Sequence, residues 1–210
     1  MRARVRTPWL EAELACPPGE VLAVTGPNGA GKSVLLKALA GVLVSDGTVE
    51  VAGRSVERLP PHRRDVGWVP QQPTLLGHLT ARDNAAYALR ARGVSRRAAR
   101  ERAQVWLDRL GAGHLGDARP VALSGGQTAR IALVRALVHE PALLLLDEPL
   151  AALDAAGRDA VRGALSAALR GSRTATLLVT HDPADVASLA HATLRLEGGR
   201  VVTGGTRLGT

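Results

Sequence analysis

The residues between Gly26 and Ser33 constrain the fold of this chain more than any other stretch. They follow an apolar run, Val21–Val24, and precede a run with helical spacing, Val34–Ala40, so they join a buried strand to a helix. Glycines at three of the eight positions let several backbone N–H groups point at one polyphosphate. The sequence therefore predicts a phosphate-binding loop, with a plain glycine-rich turn as the alternative. The loop consists of Gly26, Pro27, Asn28, Gly29, Ala30, Gly31, Lys32 and Ser33.

The end of this phosphate loop supplies two side chains suited to a bound triphosphate. The loop fits the pattern G-x-x-x-x-G-K-[ST], in which the lysine reaches the β- and γ-phosphates and the hydroxyl ligates Mg²⁺. Lys32 and Ser33 stand at these positions. Among the 27 basic residues, Lys32 and Lys37 are the only lysines. This choice indicates that position 32 needs a compact point charge rather than a planar guanidinium.

A second pattern places two acidic residues after an apolar run. Leu143–Leu146 is typical of a central parallel strand that is buried on both faces, and Asp147, Glu148 and Pro149 follow it. In open α/β sheets, ligands bind at the carboxyl ends of such strands. We expect Asp147 to hold Mg²⁺ and Glu148 to polarise, or accept a proton from, the water that attacks the γ-phosphate. The alternative is an acidic turn closed by the proline.

A third pattern opens a helix with two glycines. In the segment Leu123–Gln127, Ser124 and Gln127 fit a capping box at the start of a helix over 127–139. That account leaves Gly125 and Gly126 unexplained, since each glycine costs a helix about 1 kcal/mol relative to alanine. A backbone that approaches a ligand would explain them, because a helix N-terminus binds anions. The sequence therefore predicts a second anion site.

The bulk composition limits the classes of partner and compartment. The formal charge is +8 with a pI of about 11.2, so nucleic acid and an anionic membrane surface are both conceivable. We interpret the arginine cluster between Arg90 and Arg109 as a solvated helix face. Cys16 is the single cysteine, which favours a reducing compartment. No apolar run approaches the 18 or so residues that a membrane span needs, so we expect a cytoplasmic chain.

Strand and helix patterns alternate over most of the sequence and predict an α/β fold. We expect a P-loop NTPase core with a mainly parallel central sheet, an N-terminal antiparallel β part and an inserted α-helical subdomain. Strand patterns disappear between about 73 and 127, where helical patterns occupy 80–92 and 95–110. A single domain with its core at 1–72 and 128–210, and the helical subdomain at about 73–127, is therefore predicted.

The three motifs, in this order, resemble the ATP-binding subunit of an ABC transporter, over about residues 5 to 205. The resemblance implies ATP and Mg²⁺ as ligands and an ATPase activity. It also implies a homodimer in which Ser124, Gly125, Gly126 and Gln127 contact the γ-phosphate of the ATP held by the other protomer. The predicted second anion site would then belong to the partner's nucleotide.

Four further positions take roles from this resemblance. Gln71 matches the glutamine that senses Mg²⁺ and the attacking water, and we prefer it to Gln72 because Gln-x-Pro is the family's spacing. His181, after a predicted strand, matches the histidine that bonds the γ-phosphate. Asp154 resembles a residue of the loop that crosses the dimer interface, and it also suits the N-cap of a helix over 155–170. Trp9 is the candidate for stacking on adenine, with burial as an edge-strand aromatic as the alternative.

The chain also resembles importer ATPases in particular, through Leu59–Gly67 and Leu75–Thr80. Such ATPases serve importers of molybdate, sulfate, polyamines, iron or sugars, and the Pro17–Glu20 turn leans towards molybdate. The segment Thr128–Arg130 departs from the family, which has more polar residues there. Many such importers carry a C-terminal regulatory domain, for which we expect no room before Thr210.

The resemblance implies transmembrane permease subunits as partners and a peripheral position on the inner face of the cell membrane. The alternatives are the ATPase of an exporter, a soluble ABC ATPase that clamps nucleic acid, and an assembly module that binds ATP without turnover. We do not expect a nucleic-acid partner, since the chain has no long coiled-coil insertion, zinc motif or second cassette. The presence of Glu148 disfavours the assembly module.

Overall fold

The computed structural model describes the backbone of residues 1–207 and the side chains of residues 1–202. Strands and helices alternate along most of it. The strands are β1 (Arg2–Thr7), β2 (Leu10–Ala15), β3 (Val21–Thr25), β4 (Asp46–Val51), β5 (Arg54–Ser55), β6 (Val66–Val69), β7 (Leu143–Asp147), β8 (Ala175–Val179), β9 (Ala192–Glu197) and β10 (Arg200–Arg207). The helices are α1 (Lys32–Ala40), α2 (Ala81–Ala91), α3 (Arg96–Arg109), α4 (Gly125–Leu137), α5 (Ala155–Leu169) and α6 (Pro183–Leu189).

The strands form one sheet in the order β5-β4-β1-β2-β10-β9-β3-β8-β7-β6. Its central strands β9, β3, β8 and β7 pair in parallel, while β1 pairs antiparallel with β2 and β4. The expected α/β fold, with a parallel centre and an antiparallel N-terminal part, is therefore confirmed. Parallel neighbours place their carboxyl ends at one edge of the sheet, so β3, β7 and β8 bring the segments that follow them together.

Residues 2–7 form β1, a strand that the sequence patterns described above do not include. Ala3 and Val5 are buried and the arginines between them are exposed, which is the period-2 alternation of a half-buried strand. Two of the β1 arginines, Arg4 and Arg6, face acidic residues of β2, as in the pair of Arg6 and Glu11 at 2.7 Å. Cross-strand charge pairs of this kind make an arginine-rich strand compatible with the sheet.

The chain divides into two compact units, residues 1–68, 141–148 and 169–210 in the first and residues 69–140 and 149–168 in the second. The first unit contains nearly all of the sheet together with α1 and α6. The second holds α2, α3, α4 and most of α5, and α4 packs on both α2 and α3. The bounds of the second unit differ from those of the helical subdomain expected at about 73–127. The helical subdomain therefore stays a prediction.

The arginine cluster of α2 and α3 is only partly a solvated face. Arg97 is exposed and pairs with Glu101 at 2.9 Å. Arg100, however, is mostly buried and lies 3.5 Å from Asp83. An aromatic residue also belongs to the cluster, because Trp106 lies under the guanidinium of Arg109, with 5.2 Å from Cζ to the ring centroid. The interpretation as a solvated face therefore holds for the exposed arginines of this segment, and Arg100 is the exception.

Within residues 1–207 we find no helix with the length and apolar character that crossing a bilayer would require.

Candidate functional site

The phosphate loop joins β3 to α1 through glycine conformations that other residues would not adopt. Gly26 has a φ of 140°, and a Cβ there would lie 2.1 Å from the carbonyl oxygen of Leu196. Gly31 is the N-cap of α1 with a φ of 99° in the left-handed region, and no side chain caps the helix. The N-terminal N–H groups of α1 therefore have no capping side chain, which suits them to an anion.

Lys32 lies across this loop. Its side chain is buried, and Nζ donates hydrogen bonds to the carbonyl oxygens of Gly26 at 2.7 Å and Pro27 at 2.9 Å. The ammonium group is thus held by neutral acceptors alone in these contacts. A phosphate placed against the loop would offer it a charged acceptor, and charge-assisted hydrogen bonds are the stronger kind.

Asp147 ends β7 beside the start of α1. Its carboxyl is buried, and burial raises its pKa above the ordinary value, while the nearby Ser33 hydroxyl and Lys32 ammonium lower it. A buried carboxylate next to a hydroxyl presents the oxygen ligands that Mg²⁺ prefers. No group of three or more His, Cys, Asp or Glu side chains forms a metal site in the part of the chain that the structure describes. One carboxylate and one hydroxyl leave coordination positions on such an ion that phosphates and waters can fill.

Glu148 follows with an unusual backbone. Its φ is 51°, and its N–H donates to the carbonyl oxygen of Val179 at 2.9 Å, at the end of β8. With this backbone conformation, Glu148 no longer follows the alternating side-chain directions of β7. Left-handed conformations of residues other than glycine are costly and often mark functional sites.

The Glu148 carboxyl lies next to His181. Oε1 of Glu148 is 3.3 Å from Nε2 of His181, but it is buried and makes no well-formed hydrogen bond. Burial raises the pKa of Glu148 above the ordinary value of 4.5, and the neighbouring His181 lowers it. A buried carboxyl oxygen without a hydrogen bond can accept one from an incoming water or ligand.

Sequence reasoning missed Thr180 and Asp185, which hold the His181 turn. The hydroxyl of Thr180 donates to Oδ2 of Asp185 at 2.9 Å and accepts from the N–H of Asp182 at 3.1 Å. Asp182 also caps α6, since its Oδ1 accepts from the N–H of Ala184 at 2.8 Å. The signal was available as Thr-His-Asp-x-x-Asp, because threonine and aspartate favour such local bonds at helix starts.

Trp9 lies in the tight turn between β1 and β2 and is 68% exposed. Its alternative interpretation, burial as an edge-strand aromatic, is therefore wrong. The turn runs against the backbone that surrounds the phosphate loop. A Cβ on Gly199 would lie 2.2 Å from the Trp9 carbonyl oxygen, and one on Gly31 would lie 3.8 Å from it. The Trp9 backbone thus lies near the loop, and its exposed indole is available for contact with a ligand.

In the second unit, the start of α4 has the predicted capping box. The Ser124 hydroxyl accepts from the N–H of Gln127 at 3.2 Å, and Oε1 of Gln127 accepts from the N–H of Ser124 at 2.9 Å. Ser124 and Gly125 are exposed, and a Cβ on Gly125 would meet nothing within 4 Å. The space in front of this helix end is therefore open to a ligand.

Asp154 caps α5, because its Oδ1 accepts from the N–H of Gly157 at 2.8 Å. The residues just before it touch the start of α4. A Cβ on Gly126 would lie 3.2 Å from the Ala152 carbonyl oxygen and 3.1 Å from Cδ2 of Leu153. Gly126 is thus required by close packing within this unit, and the N-cap role of Asp154 is confirmed.

Gln71 lies in an exposed loop after β6, together with Gln72, so exposure does not separate the two candidates. The loop, residues 71–80, is fastened to the helices of the second unit. Fully buried Asn84 accepts from the N–H of Leu76 at 2.8 Å and donates to its carbonyl oxygen at 3.1 Å. Nη2 of Arg135 in α4 donates to the carbonyl oxygen of Thr74 at 2.9 Å.

The raised pKa of Glu148 has a consequence for stability. The folded state binds this proton more tightly than the unfolded state, so the free energy of unfolding falls as pH rises from 4.5 through the raised pKa. We expect Glu148→Gln to lack this loss. In urea melts, the variant should gain stability relative to the wild type between pH 4 and pH 7. An equal difference at both pH values would contradict the raised pKa.

The fold and these segments define a P-loop NTPase with an α/β core. A family model described as "ABC transporter" matches residues 10–151. The chain therefore belongs to the ABC transporter family, as its motifs predicted.

Known relatives carry names from the import branch of this family. A spermidine/putrescine import ATP-binding protein of Frankia alni is 44% identical over 190 residues, which are 90% of this chain and 41% of that protein. A molybdenum import ATP-binding protein of Mycobacterium tuberculosis is 41% identical over 212 residues, 96% of this chain and 58% of its own length. The chain spans about half the length of these curated relatives.

Among solved structures, the ATP-binding cassette MJ0796 resembles this chain over its whole length. Its dimeric post-hydrolysis state, bound to ADP and Pi, matches with a TM-score of 0.88 at 25% identity and covers 100% of this chain and 97% of the other. A second dimeric structure of the same bacterial ABC transporter cassette gives a TM-score of 0.86. The fold is therefore that of an ABC ATP-binding cassette.

Proposed function

We propose that this chain binds and hydrolyses ATP as the motor subunit of an ABC importer. The single observation that carries the proposal is the buried Glu148 carboxyl oxygen, which has no hydrogen bond and lies directly after Asp147 and 3.3 Å from His181. A phosphate loop alone would suit any nucleotide-binding protein. A buried carboxyl oxygen that has no hydrogen bond, as in Glu148, suits the activation of a water for attack on the γ-phosphate.

The first unit supplies the chemistry in this proposal. The N–H groups of α1 and the Lys32 ammonium bind the β- and γ-phosphates. Glu148 orients and polarises the attacking water, and His181 donates a hydrogen bond to the γ-phosphate. Catalysis then comes chiefly from positioning and charge stabilisation, because phosphoryl transfer leaves the protein little covalent chemistry to perform.

Mg²⁺ fits the side chains present, with Ser33 and Asp147 as its ligands from the first unit and Gln71 as a further candidate. The ion would neutralise charge on the phosphates. Magnesium is commonly held by one or two carboxylates together with substrate phosphates and waters, which agrees with the sparse donor set of this chain.

The second unit supplies the partner's half of each site. The open helix end at Ser124 and Gly125, with Gly126 and Gln127 behind it, would contact the γ-phosphate of ATP held by a second copy. Asp154 would lie at the same interface. Support comes from the exposure of Ser124 and from the dimeric state of the similar cassettes.

The transport role is proposed from the names of the relatives, which are import ATP-binding proteins for polyamines, glycerol 3-phosphate, molybdenum and sulfate. The chain would act on the inner face of the cell membrane with transmembrane permease subunits. Substrate choice would rest with those partners, and molybdate is our candidate for the transported ion.

A mixing experiment tests the composite site. Lys32→Ala should disable a chain's own phosphate loop, and Ser124→Arg should obstruct the site of its partner. Each variant alone should be inactive. In a mixed dimer one site carries both lesions and the other carries none, so ATP turnover should reappear on mixing. Turnover that stays absent in a mixture shown to contain mixed dimers would contradict the shared site.

Trp9→Ala should weaken ATP binding about tenfold, because stacking of a base on an aromatic side chain contributes roughly 1–3 kcal/mol. Trp9→Tyr should retain most of the affinity. The measurement is titration with a fluorescent ATP analogue, with Trp106→Ala as the control at an indole of α3 that has no proposed role in the site. Equal affinities of the wild type and Trp9→Ala would remove Trp9 from the site.

A further inference from the structure

Arg64 is a buried cation held by carbonyl oxygens. Its side chain is 7% exposed and makes four hydrogen bonds. Nη1 donates to the carbonyl oxygens of Ala38 at 3.0 Å and Leu39 at 3.2 Å. Nε donates to that of Leu59 at 2.8 Å, and Nη2 donates to that of Glu57 at 2.7 Å. The planar guanidinium thus joins the last turn of α1 to the segment that leads into β6.

No carboxylate takes part in these four bonds, although burial lowers the pKa of Arg64. The nearby Glu57 carboxylate raises that pKa, and the carbonyl end of α1, where the helix dipole is negative, also stabilises the charge. A glycine makes the room. A Cβ on Gly41, the C-cap of α1, would lie 2.4 Å from Nε and 2.5 Å from Cζ of Arg64. Position 41 is therefore shaped around this guanidinium.

The next residue fastens a second element. Oδ2 of Asp65 accepts from the N–H of Ala142 at 3.2 Å, and its carbonyl oxygen accepts from the N–H of Leu143 at 3.3 Å. Asp65 also has a φ of 55°, so the chain turns sharply here. Arg64 thus binds the C-terminal end of α1, and Asp65 binds the start of β7.

The opposite ends of those two elements hold the functional side chains. α1 begins at Lys32 and β7 ends at Asp147, and the Ser33 side chain lies close enough to Asp147 to lower its pKa. A helix of nine residues is roughly 14 Å long. Helices and strands are rigid over this length, and close-packed interiors transmit displacements. A shift at Arg64 would therefore move Lys32 and Ser33 relative to Asp147.

We propose that Arg64 is a positioning residue of the nucleotide site, which fixes α1 along its axis against β7. Arg64 does not contact the nucleotide. It sets the spacing between the phosphate loop and Asp147 from the C-terminal end of α1. The measurement of ATP turnover that tests this proposal rests on the proposed function, whereas the measurement of the lysine signals does not.

The chain offers a direct spectroscopic probe, because Lys32 and Lys37 are its only lysines. In NMR spectra of nucleotide-free protein labelled with ¹³C-lysine, the two lysines give one ε-methylene signal each. In Arg64→Ala we expect the Lys32 signal to move towards that of an exposed lysine, as its bonds to Gly26 and Pro27 loosen. Millimolar guanidinium, at concentrations far below those that unfold proteins, should restore the wild-type position of the Lys32 signal in Arg64→Ala. Urea at the same concentration should leave the signal displaced.

The exposed neighbour Arg63 provides the matched control. Arg63→Ala should leave the Lys32 signal unchanged. If only the signal of Lys37, next to Ala38, responds to Arg64→Ala, then the effect is local and the proposal is overturned. Should Arg64→Ala not fold, Arg64→Lys decides, since an ammonium cannot reproduce four planar hydrogen bonds. An unchanged Lys32 signal in that folded variant overturns the proposal, and a displaced one supports it.

The activity readout separates this proposal from the proposed function. Arg64→Ala should lower ATP turnover per folded molecule at least tenfold, with partial recovery in guanidinium and none in urea. Wild-type turnover per folded molecule in Arg64→Ala would make Arg64 merely structural. A wild-type chain that does not hydrolyse ATP would instead contradict the proposed function, and the lysine signals would still test Arg64.

Discussion

Glu148→Gln is expected to lower ATP turnover by two to four orders of magnitude while ATP binding persists, since a positioned general base contributes roughly 10²–10⁴-fold. The substitution keeps the size of the side chain and removes its capacity to ionise. The buried Oε1 next to His181 is replaced by an amide group that cannot take up a proton. Steady-state phosphate release and nucleotide binding measure the two effects separately.

The same variant should accumulate as an ATP-bound dimer, because turnover is the step that separates the protomers in the proposed cycle. Sedimentation velocity with ATP and Mg²⁺ should show a dimer of Glu148→Gln and mainly monomer for the wild type. Glu13→Gln is the matched control, since it makes the same change at an exposed carboxylate of β2. Normal turnover in Glu148→Gln would take Glu148 out of the mechanism.

The sequence was most informative where a residue type had a single physical reason to be present. The glycines of the phosphate loop are an example, since the structure shows left-handed conformations at Gly29 and Gly31. The four leucines of β7 are fully buried, as expected of a central parallel strand. Asp182 and Pro183 begin α6 with a side-chain cap and a proline in the first turn, a combination that is typical of helix starts.

Prediction failed where a residue acts through distant partners. Arg64 stands in a run of basic residues, Arg63 and His62 among them, and nothing local distinguishes it. Its four acceptors belong to segments up to 26 residues away, so only the folded chain reveals its burial. Thr180 is a different case, because its bond to Asp185 spans only five residues and the local pattern Thr-His-Asp-x-x-Asp already contained the signal.

Lys32→Ala is expected to weaken ATP binding about 100-fold, because loss of one partner from a buried, hydrogen-bonded charge pair costs roughly 2–5 kcal/mol. Without the ammonium, the triphosphate would meet only the N–H groups of the loop and of α1. In the absence of nucleotide, the variant should fold, since Lys32 bonds only to the carbonyl oxygens of Gly26 and Pro27. Isothermal titration with ATP and with ADP measures the loss.

Lys37→Ala is the matched control within the same helix. Lys37 is exposed in the last turn of α1, so its removal takes away an equal charge without changing the loop. If both variants lose affinity alike, the effect is the general loss of a positive charge near the site. A large loss in Lys32→Ala alone would show that the contact with phosphate, which only position 32 can make, holds the nucleotide. Wild-type affinity in Lys32→Ala would contradict the assignment of residues 26–33 as a phosphate loop.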